Sequence, residues 1–371
     1  MGRRVPRTGK QPVPEDRLRQ QFEELLALPE SDPQAGLLKE LLSTVFRLNE
    51  ARLDMLDLKI IHRSLKEMRY AFRVFQSYRA RRKISIFGSA RIAADHPLCD
   101  LARRFARLLA GQGFMVITGA GEGIMQAANE GAGREHSFGV NILLPFEQEP
   151  NWAIVDDPKL ITFKYFFTRK LFFARESHAV AVFPGGFGTH DETFEFLTLL
   201  QTGKNNPHPV VLVDLPEGTY WRKWERFVQE AMLAPELISP EDLELFRIVD
   251  SAEAAVGEIE RFYRTYHSSR FVKGRLVLRL QRPLTAEQVD HLNKQFAHLC
   301  EDGKIEQRAA LSEEADEPDL LALPRLVVPY HRRSTGGLRQ LIDAVNALPA
   351  TSHSGPHGDG TGAAERPEKF S

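Results

Sequence analysis

The sequence is poor in cysteine, in long apolar runs and in net charge, and each shortage excludes a class of protein. Its two cysteines, Cys99 and Cys300, are too few for a disulfide framework and too far apart for a CxxC metal site, which fits a reducing cytoplasm. No apolar run approaches the ~18 residues of a membrane span. A formal net charge of -1 gives no overall basic field of the kind that attracts nucleic acid. We therefore expect a cytoplasmic protein that binds neither membrane nor nucleic acid.

The two ends and the first helical region can be separated by composition. Residues 1–14 and 350–371 are rich in Pro, Gly and polar residues and are expected to be disordered tails. Residues 15–80 form a predicted N-terminal helical extension. Its clearest stripe of apolar residues, at steps of three and four, consists of Ile61, Leu65, Met68, Phe72 and Phe75. This stripe is expected to pack against the main body or a second subunit, with a partner-protein site as the alternative.

Short apolar strands alternate with helices over residues 81–268. This alternation predicts an α/β fold, a Rossmann-like, doubly wound parallel sheet with ligands at the carboxyl ends of its strands. Residues 269–349 are predicted to form a small βαββα module that carries no site motif. We expect this module to control assembly or regulation; the alternative is that it only covers an apolar face of the main domain.

Glycine-rich segments follow three of the predicted strands. Gly88 and Ser89 end the first strand, and "PGGFG" supplies Gly185, Gly186 and Gly188. The segment "TGAGEGIM" contributes Gly119, Gly121, Gly123, Ile124 and Met125. It is not a dinucleotide fingerprint, because Ile124 stands where the third glycine belongs, and it lacks the P-loop lysine. We expect it to open a helix whose N–H groups bind a phosphate monoester, with a tight strand-to-helix turn as the alternative.

Two cations lie upstream of the last glycine loop. Thr168 is a predicted N-cap, which places Arg169 and Lys170 in a first helical turn, where the helix dipole disfavours cations by about 0.3–1 kcal/mol each. A carboxylate or an anionic ligand near Arg169 would offset this cost. The alternative is a solvated surface cation.

Two carboxylates follow the last glycine loop on one predicted helix face. Glu192 is the fourth residue of a T-x-x-E pattern that begins at Thr189, so the spacing fits a capping box and a catalytic carboxylate equally well. Glu195 lies three residues further on. His178 and His190 are expected to be surface or capping residues, since no spacing around them suggests a metal site.

The segment from Pro184 to Glu192, "PGGFGTHDE", resembles the PGGxGTxxE motif of the LONELY GUY (LOG) family. Members are cytokinin riboside 5′-monophosphate phosphoribohydrolases, formerly described as lysine decarboxylases, and the longer bacterial relatives include nucleotide 5′-monophosphate nucleosidases. Arg169-Lys170 falls at the family's Arg-Lys position, and Gly88-Ser89 and Gly119–Met125 match its phosphate-binding segments. The resemblance covers residues 80–268, although "GAGEGIM" departs from the usual GGGxxGLM form.

The resemblance implies hydrolysis of the N-glycosidic bond of an AMP-like or cytokinin nucleoside 5′-monophosphate. Glu192 and Arg169 would be catalytic, with Arg169 keeping Glu192 ionised. The implied substrate-binding residues are Gly88, Ser89, Gly119, Gly121, Gly123, Ile124, Met125, Lys170, Gly185, Gly186, Gly188, Thr189 and Glu195.

The implied reaction needs no metal or redox cofactor, and the resemblance suggests a homodimer or higher homo-oligomer. A pyridoxal phosphate decarboxylase is rejected, because Lys170 and Lys204 have no evident supporting partners in the sequence. The alternative of another class is a non-catalytic nucleotide or molybdenum-cofactor carrier of the same fold. Such a carrier would not need the Arg169/Glu192 pair.

Overall fold

The structure is a computed structural model that describes residues 14–29, 31–145 and 149–350. Both predicted tails lie outside the described residues, apart from Pro14 and Ala350. Two compact units divide the chain between Lys66 and Glu67. No helix among the described residues is long and apolar enough to cross a membrane.

The helical pattern near the N-terminus corresponds to three helices, α1 (Glu15–Leu26), α2 (Pro33–Glu50) and α3 (Met55–Gln76). In the first unit, Phe22 of α1 meets Phe46 of α2 edge to face, with 6.3 Å between ring centroids. The Asp32 carboxylate caps α2 by accepting the Gln34 N–H at 2.9 Å.

The apolar stripe of α3 is buried only toward its C-terminal end. Ile61 and Leu65 are exposed, whereas Phe75 is buried and stacks on Phe138 with ring centroids 4.6 Å apart. Phe72 lies 4.9 Å from Phe172, measured in the same way. The packing interpretation of the stripe is therefore confirmed at Phe75, whereas Phe72 contacts Phe172 and remains 40% exposed.

Seven parallel strands form the central sheet in the order β4-β3-β2-β1-β5-β6-β7. They are β1 (Lys83–Phe87), β2 (Met115–Thr118), β3 (Ser137–Ile142), β4 (Leu160–Phe163), β5 (Ala179–Val182), β6 (Val210–Val213) and β7 (Phe246–Val249). Every residue of β1, β2, β5 and β6 is buried, as expected for a sheet covered on both faces. The Rossmann-like fold is confirmed.

Helices cover the two faces of this sheet and form two separate cores. They are α4 (Pro97–Gly111), α5 (Ile124–Ala132), α6 (Phe166–Glu176), α7 (Phe187–Gln201), α8 (Tyr220–Val228) and α9 (Ala252–Phe262). One core joins the sheet to α3, α6, α7 and α8, and the other joins it to α4, α5 and α9. The strand order reverses between β1 and β5, and this reversal opens a crevice at their carboxyl ends.

A second, antiparallel sheet has the order β10-β11-β9-β8. It comprises β8 (Tyr266–Val272), β9 (Arg275–Leu280), β10 (Glu306–Arg308) and β11 (Arg325–Val328), with α10 (Ala286–Phe296) and α11 (Thr335–Ala347). The predicted βαββα order is wrong by one strand, because β8 precedes it. A two-residue turn joins β8 to β9, and Lys273 and Gly274 adopt φ values of 48° and 84°, as a type I′ turn requires.

The segment "LSEEADEPD", which looks like a solvated acidic loop, contains a fully buried carboxylate. Glu314 is 0% exposed and accepts hydrogen bonds from Arg279 Nε at 3.0 Å and Arg325 Nε at 3.1 Å. Although burial alone would raise the pKa of Glu314, these two guanidinium groups lower it below its ordinary value. This ion cluster fixes the loop to β9 and β11.

Candidate functional site

A cleft of about 710 Å³ lies at the crevice between β1 and β5. Its walls are the loop after β1, the loop after β5, the first turns of α7 and the N-terminal part of α6. The predicted site residues that line it are Gly88, Ser89, Met125, Arg169, Gly185, Gly186, Gly188, Thr189 and Glu192. The structure thus brings together residues from four separate segments of the sequence.

The glycine loops contact one another as well as lining the cleft. The Ser89 N–H donates to Pro184 O at 3.1 Å, and the Ile124 N–H donates to Ser89 O at 3.2 Å. A Cβ at Gly185 would lie 2.1 Å from Thr189 Oγ1, so this position excludes a side chain for internal reasons. At Gly186 and Gly188, by contrast, a Cβ would meet nothing within 4 Å. These last two glycines therefore keep space open in the cleft.

Six of the predicted site residues do not line the cleft: Gly119, Gly121, Gly123, Ile124, Lys170 and Glu195. The Ile124 N–H is committed to Ser89 O, and Gly121 O accepts a hydrogen bond from the Asn151 side chain at 2.9 Å. A Cβ at Gly123 would lie 2.4 Å from Ser89 O. The loop before α5 thus supports the loop after β1. Of the residues predicted in the segment Gly119–Met125, only Met125 lines the cleft.

One residue of this supporting loop is strained. Ala120 has φ 61°, a left-handed conformation that L-residues other than glycine adopt at a cost of roughly 1–2 kcal/mol. It stands at the position where "GAGEGIM" departs from the family's glycine-rich form. Its N–H is held by Thr118 Oγ1 at 3.0 Å and its carbonyl by the Asn151 N–H at 2.8 Å. These bonds hold the backbone in the left-handed conformation.

The capping-box interpretation of Thr189 and Glu192 is wrong. α7 begins at Phe187 with Gly186 as N-cap, so Thr189 lies inside the first turn, and the helix has no side-chain cap. The Thr189 and His190 N–H groups donate to Gly186 O, at 3.1 Å each. Helix geometry leaves the N–H groups of Phe187 and Gly188 without an intrahelical acceptor. The positive end of the α7 dipole therefore faces the cleft.

Glu192 is a buried carboxylate on the cleft wall. It is 5% exposed, and its Oε2 lies 3.6 Å from Lys170 Nζ. Burial raises the pKa of Glu192 above its ordinary value, and the charges of Lys170 and Arg169 only partly oppose this rise. Desolvation outweighs both cations, so the net shift opposes ionisation, although the charge of Arg169 acts in the predicted direction by lowering the pKa of Glu192.

Lys170 is the cation closest to Glu192 and holds three carboxylates of α7. It pairs with Asp191 at 3.0 Å, with Glu192, and through a short hydrogen bond with Glu195. Burial by itself would lower the pKa of Lys170, but the Glu195 hydrogen bond and the neighbouring charges raise it above its ordinary value. An amine held protonated in this way is a poor Schiff-base nucleophile.

Arg169 enters the cleft from a helix that begins earlier than predicted. α6 starts at Phe166 with Tyr165 as N-cap, so the predicted cap at Thr168 is wrong. Glu67 explains the difference, since its carboxylate accepts the Lys164 N–H and the Thr168 hydroxyl, both at 2.8 Å. Arg169 thus follows the first turn of α6.

The Arg169 side chain is held in place by contacts with the backbone of Val140 and Gly119. Its Nε donates to Val140 O at 2.9 Å, and a Cβ at Gly119 would lie 2.6 Å from its Nη2. Burial lowers the pKa of Arg169, and the charges of Glu192 and Asp191 oppose this. Within the part of the chain that the structure describes, Arg169 and Glu192 form no direct ion pair.

Both histidines are half-buried and hydrogen-bonded, so the expectation of surface or capping roles is wrong. His178 Nδ1 accepts the Lys83 N–H at 3.2 Å, and burial lowers the pKa of His178 to about 4. His190 lines the cleft, and its Nε2 bonds the Tyr220 hydroxyl at 2.7 Å. The Tyr220 hydroxyl also donates to Gly185 O, which ties the last glycine loop to α8.

Sequence reasoning missed Arg91 and two aromatic residues of the cleft. Arg91 follows Gly88-Ser89, lines the cleft, and forms no ion pair among the described residues. Its N–H donates to Ser89 Oγ at 3.0 Å. Phe166 and Phe187 also line the cleft and are 51% and 95% exposed. The signal that could have identified Arg91 is its place in the first residues after a strand that ends in Gly-Ser.

Residues 122–259 match the family model described as "Possible lysine decarboxylase". This match confirms the LONELY GUY resemblance for that segment, which contains Arg169, Lys170, the PGG loop and Glu192. No curated protein gives a significant match to the chain.

Several solved structures resemble about half of the chain. The molybdenum cofactor binding protein from Rippkaea orientalis is 18% identical, with 48% of this chain and 96% of that chain covered and a TM-score of 0.36. The molybdenum cofactor carrier protein MCP from Chlamydomonas reinhardtii is 18% identical, with 49% and 97% covered and a TM-score of 0.36. DNA processing protein A from Helicobacter pylori is 12% identical, with 48% and 79% covered and a TM-score of 0.31.

Proposed function

We propose that this protein hydrolyses the N-glycosidic bond of nucleoside 5′-monophosphates and releases a free base and ribose 5-phosphate. The observation that carries this proposal is Glu192, a buried carboxylate of raised pKa on the wall of a cleft that also contains Gly186, Gly188 and the start of α7. Perturbed carboxylates in clefts are typical of catalytic sites. The family match over residues 122–259 supports the resemblance from which this class of reaction is inferred.

The 5′-phosphate would bind at the start of α7. The free N–H groups of Phe187 and Gly188 and the helix dipole favour an anion there. The hydroxyls of Thr189 and Ser89 and the guanidinium of Arg91 line the same cleft and can add hydrogen bonds and charge. This position replaces the loop before α5, whose Ile124 N–H is already committed.

The ribose would lie over Gly186 and Gly188, where the structure leaves open space for a ring. Glu192 lies one turn into α7 from these glycines and can face the anomeric carbon. As the C1′–N bond breaks, its electron pair leaves with the base and positive charge develops on the sugar. The Glu192 carboxylate stabilises that charge and accepts a proton from the attacking water, whose oxygen bonds to C1′. The departing base takes up a proton from solvent.

Arg169 and Lys170 would have different roles in this reaction. Arg169 lines the cleft and can contact the substrate directly. Lys170 lies behind the cleft wall and positions Glu192 together with Glu195. Since Lys170 is held protonated by three carboxylates, we do not propose lysine decarboxylation through a Schiff base.

We further propose that residues 81–268 form the catalytic domain. We also propose that the protein is a homodimer whose interface includes α6. Phe166, Phe167 and Leu171 on this helix are 51%, 57% and 42% exposed, and exposed apolar side chains grouped on one helix are typical of a contact surface. A cytoplasmic location fits the two unpaired cysteines. Analytical ultracentrifugation of wild type and of Leu171→Glu tests the dimer, and a monomeric wild type would contradict it.

A panel of purine and pyrimidine nucleoside 5′-monophosphates tests the function. We expect chromatography to detect free base and ribose 5-phosphate in equal amounts from at least one of them. Tight nucleotide binding with no base release from any member would instead favour the carrier alternative. Absence of both binding and release would contradict the proposed substrate class.

A further inference from the structure

A second cavity of about 380 Å³ lies on the opposite end of α7 from the cleft. One wall is the last turn of α7 with the loop over residues 202–208, and the other walls come from β8, β9 and α11 together with Tyr330 and Arg332 after β11. None of the residues assigned to the cleft lines it. The cavity is therefore a separate feature of the fold.

Three buried polar side chains of this cavity carry atoms that find no hydrogen-bond partner among the described residues. They are His208, Tyr330 and Arg339, each 4% exposed. The atoms concerned are His208 Nε2, Tyr330 Oη and Arg339 Nη1. A buried polar group without a partner destabilises the fold, so three such groups around one cavity indicate that a ligand or water satisfies them.

The three atoms offer a defined set of donors and acceptors. His208 Nδ1 lies 2.9 Å from Asn206 O, so Nδ1 carries the proton and Nε2 is an acceptor. Burial keeps this histidine neutral by lowering its pKa to about 4. Burial also raises the pKa of Tyr330 to about 12, although the nearby Ser334 N–H opposes this, so the hydroxyl retains its proton and can donate. Arg339 Nη1 is a charged donor.

The charged side chains that line the cavity are cationic. They are Lys204, Arg332 and Arg339, and no carboxylate among the described residues lines the cavity. Arg339 is anchored by Asp343 at Nε, 2.9 Å away, and by Glu258 at Nη2, which leaves Nη1 for a further partner.

Arg332 combines a strained backbone with a contact between its guanidinium group and an aromatic ring. It has φ 64°, a costly left-handed conformation, and its guanidinium carbon lies 4.0 Å from the centroid of the Phe271 ring. This geometry keeps an exposed cation and an aromatic face at the same cavity.

We propose that this cavity binds a small organic anion that also carries a hydrogen-bond donor, such as a hydroxycarboxylate or a hydroxylated phosphate ester. The anionic oxygens would accept from Arg339 Nη1 and the Tyr330 hydroxyl, with Lys204 and Arg332 adding positive charge. The donor of the ligand would satisfy His208 Nε2. The proposal stands apart from the proposed hydrolysis, because it uses none of the cleft residues.

The ligand would touch the same rigid helix that carries Glu192. Residues 187–192 of α7 wall the cleft and Leu200 walls this cavity. Asn205, in the loop that follows α7, donates to Ala174 O of α6, the helix of Arg169, at 3.0 Å. The cavity thus has a physical connection to both cleft helices, which gives the C-terminal module a route to the regulatory role expected from the sequence.

Hydrogen exchange of the full chain tests the proposal without any assay of activity. Citrate serves as the carboxylate probe and glycerol 3-phosphate as the phosphate probe, each at millimolar concentration. We expect one of them to protect amides of residues 199–208 and 330–339, and which one does so identifies the anion. Protection confined to residues 88–91 and 185–192 would mean binding only at the cleft and would overturn the proposal. The absence of protection by either probe would also overturn it, because only water would then occupy the cavity.

Two variants locate the binding by titration calorimetry. Tyr330→Phe removes only a hydroxyl that bonds no side chain among the described residues, so folding should be little changed while Kd rises about tenfold. Lys204→Gln removes an exposed cation and should raise Kd about threefold. Lys223→Gln, an exposed lysine on α8, is the matched control and should bind like wild type. Equal Kd for wild type, Tyr330→Phe and Lys204→Gln would overturn the proposal.

Discussion

Lys170 Nζ lies 3.6 Å from Glu192 Oε2, and the same ammonium also pairs with Asp191 and Glu195. Of these three carboxylates, Glu192 alone is buried; Glu195 is half-buried and Asp191 is exposed. One cation is thus shared by three acids, and burial raises the pKa of Glu192 against the opposing charge of Lys170. Lys170 therefore limits the rise of the Glu192 pKa.

Replacing Lys170 with Met should move the acidic limb of the pH–kcat profile to higher pH. Lys170 lowers the pKa of Glu192 against the effect of burial, so its loss lets that pKa rise further. Because the ionised carboxylate is the active form, activity is lost as pH falls through this pKa, and the loss would begin at a higher pH. Lys170→Arg keeps the charge and should leave the limb in place. A Met variant with an unshifted limb would show that Glu192 is not the titrating group.

Adjacent glycines of the PGG loop should respond differently to alanine. At Gly186 a Cβ meets nothing within 4 Å, so Gly186→Ala should fold normally and raise KM for AMP about tenfold or more by occupying ribose space. Gly185→Ala places its Cβ 2.1 Å from Thr189 Oγ1 and should lower the free energy of unfolding by about 1–3 kcal/mol.

Gly257→Ala on α9 is the control for these two variants, since its Cβ is also unobstructed and lies far from the cleft residues. Denaturant unfolding and steady-state kinetics on all three separate the effects. A wild-type KM in Gly186→Ala would show that the ribose does not lie at this position.

Ala120→Gly should stabilise the protein by about 0.5–1 kcal/mol. The native φ of 61° is strained for alanine and free for glycine, and this relief exceeds the extra entropy that glycine loses on folding. Ala128→Gly, in the interior of α5, is the matched control and should destabilise by about 1 kcal/mol or more. Urea midpoints at constant m-value check both, and a less stable Ala120→Gly would contradict the strain.

The 5′-phosphate should be required for efficient hydrolysis. Binding energy from a remote phosphate positions the reacting centre, so adenosine should have a kcat/KM about a hundredfold or more below that of AMP. Arg91→Gln should raise KM for AMP about tenfold and leave adenosine unaffected. Arg107→Gln, an exposed arginine on α4, should resemble wild type. Comparable kcat/KM for AMP and adenosine in the wild type would exclude a phosphate site.

The sequence predicts the main sheet well because its signals are local. Alternating buried strands and helices identify the doubly wound fold, and glycine at strand ends identifies the loops after β1 and β5. The strand β8 escapes such reasoning, since "YHSSRFV" has polar residues at its centre and is defined by pairing with β9.

The errors within the site come from long-range contacts. Thr168 looks like an N-cap, but its hydroxyl bonds Glu67, which lies 101 residues away in sequence. Thr189 and Glu192 have capping-box spacing, yet α7 begins at Phe187, after Gly186. The pairing of Lys170 with Glu192 depends on the packing of α6 beside α7 and could not be derived from spacing.

The Glu192 carboxylate should carry out the chemistry without being needed for nucleotide binding. The most direct measurement is the rate of adenine release from AMP by Glu192→Gln, alongside calorimetric binding of AMP. We predict that kcat falls about 10²–10⁴-fold while Kd for AMP changes little, because glutamine keeps the shape of the side chain and loses its charge.

Glu195→Gln is the matched control for this measurement, since Glu195 also pairs with Lys170 but does not line the cleft. It should retain more than about a tenth of wild-type kcat. Adenine release by Glu192→Gln at the wild-type rate would contradict a catalytic role for Glu192.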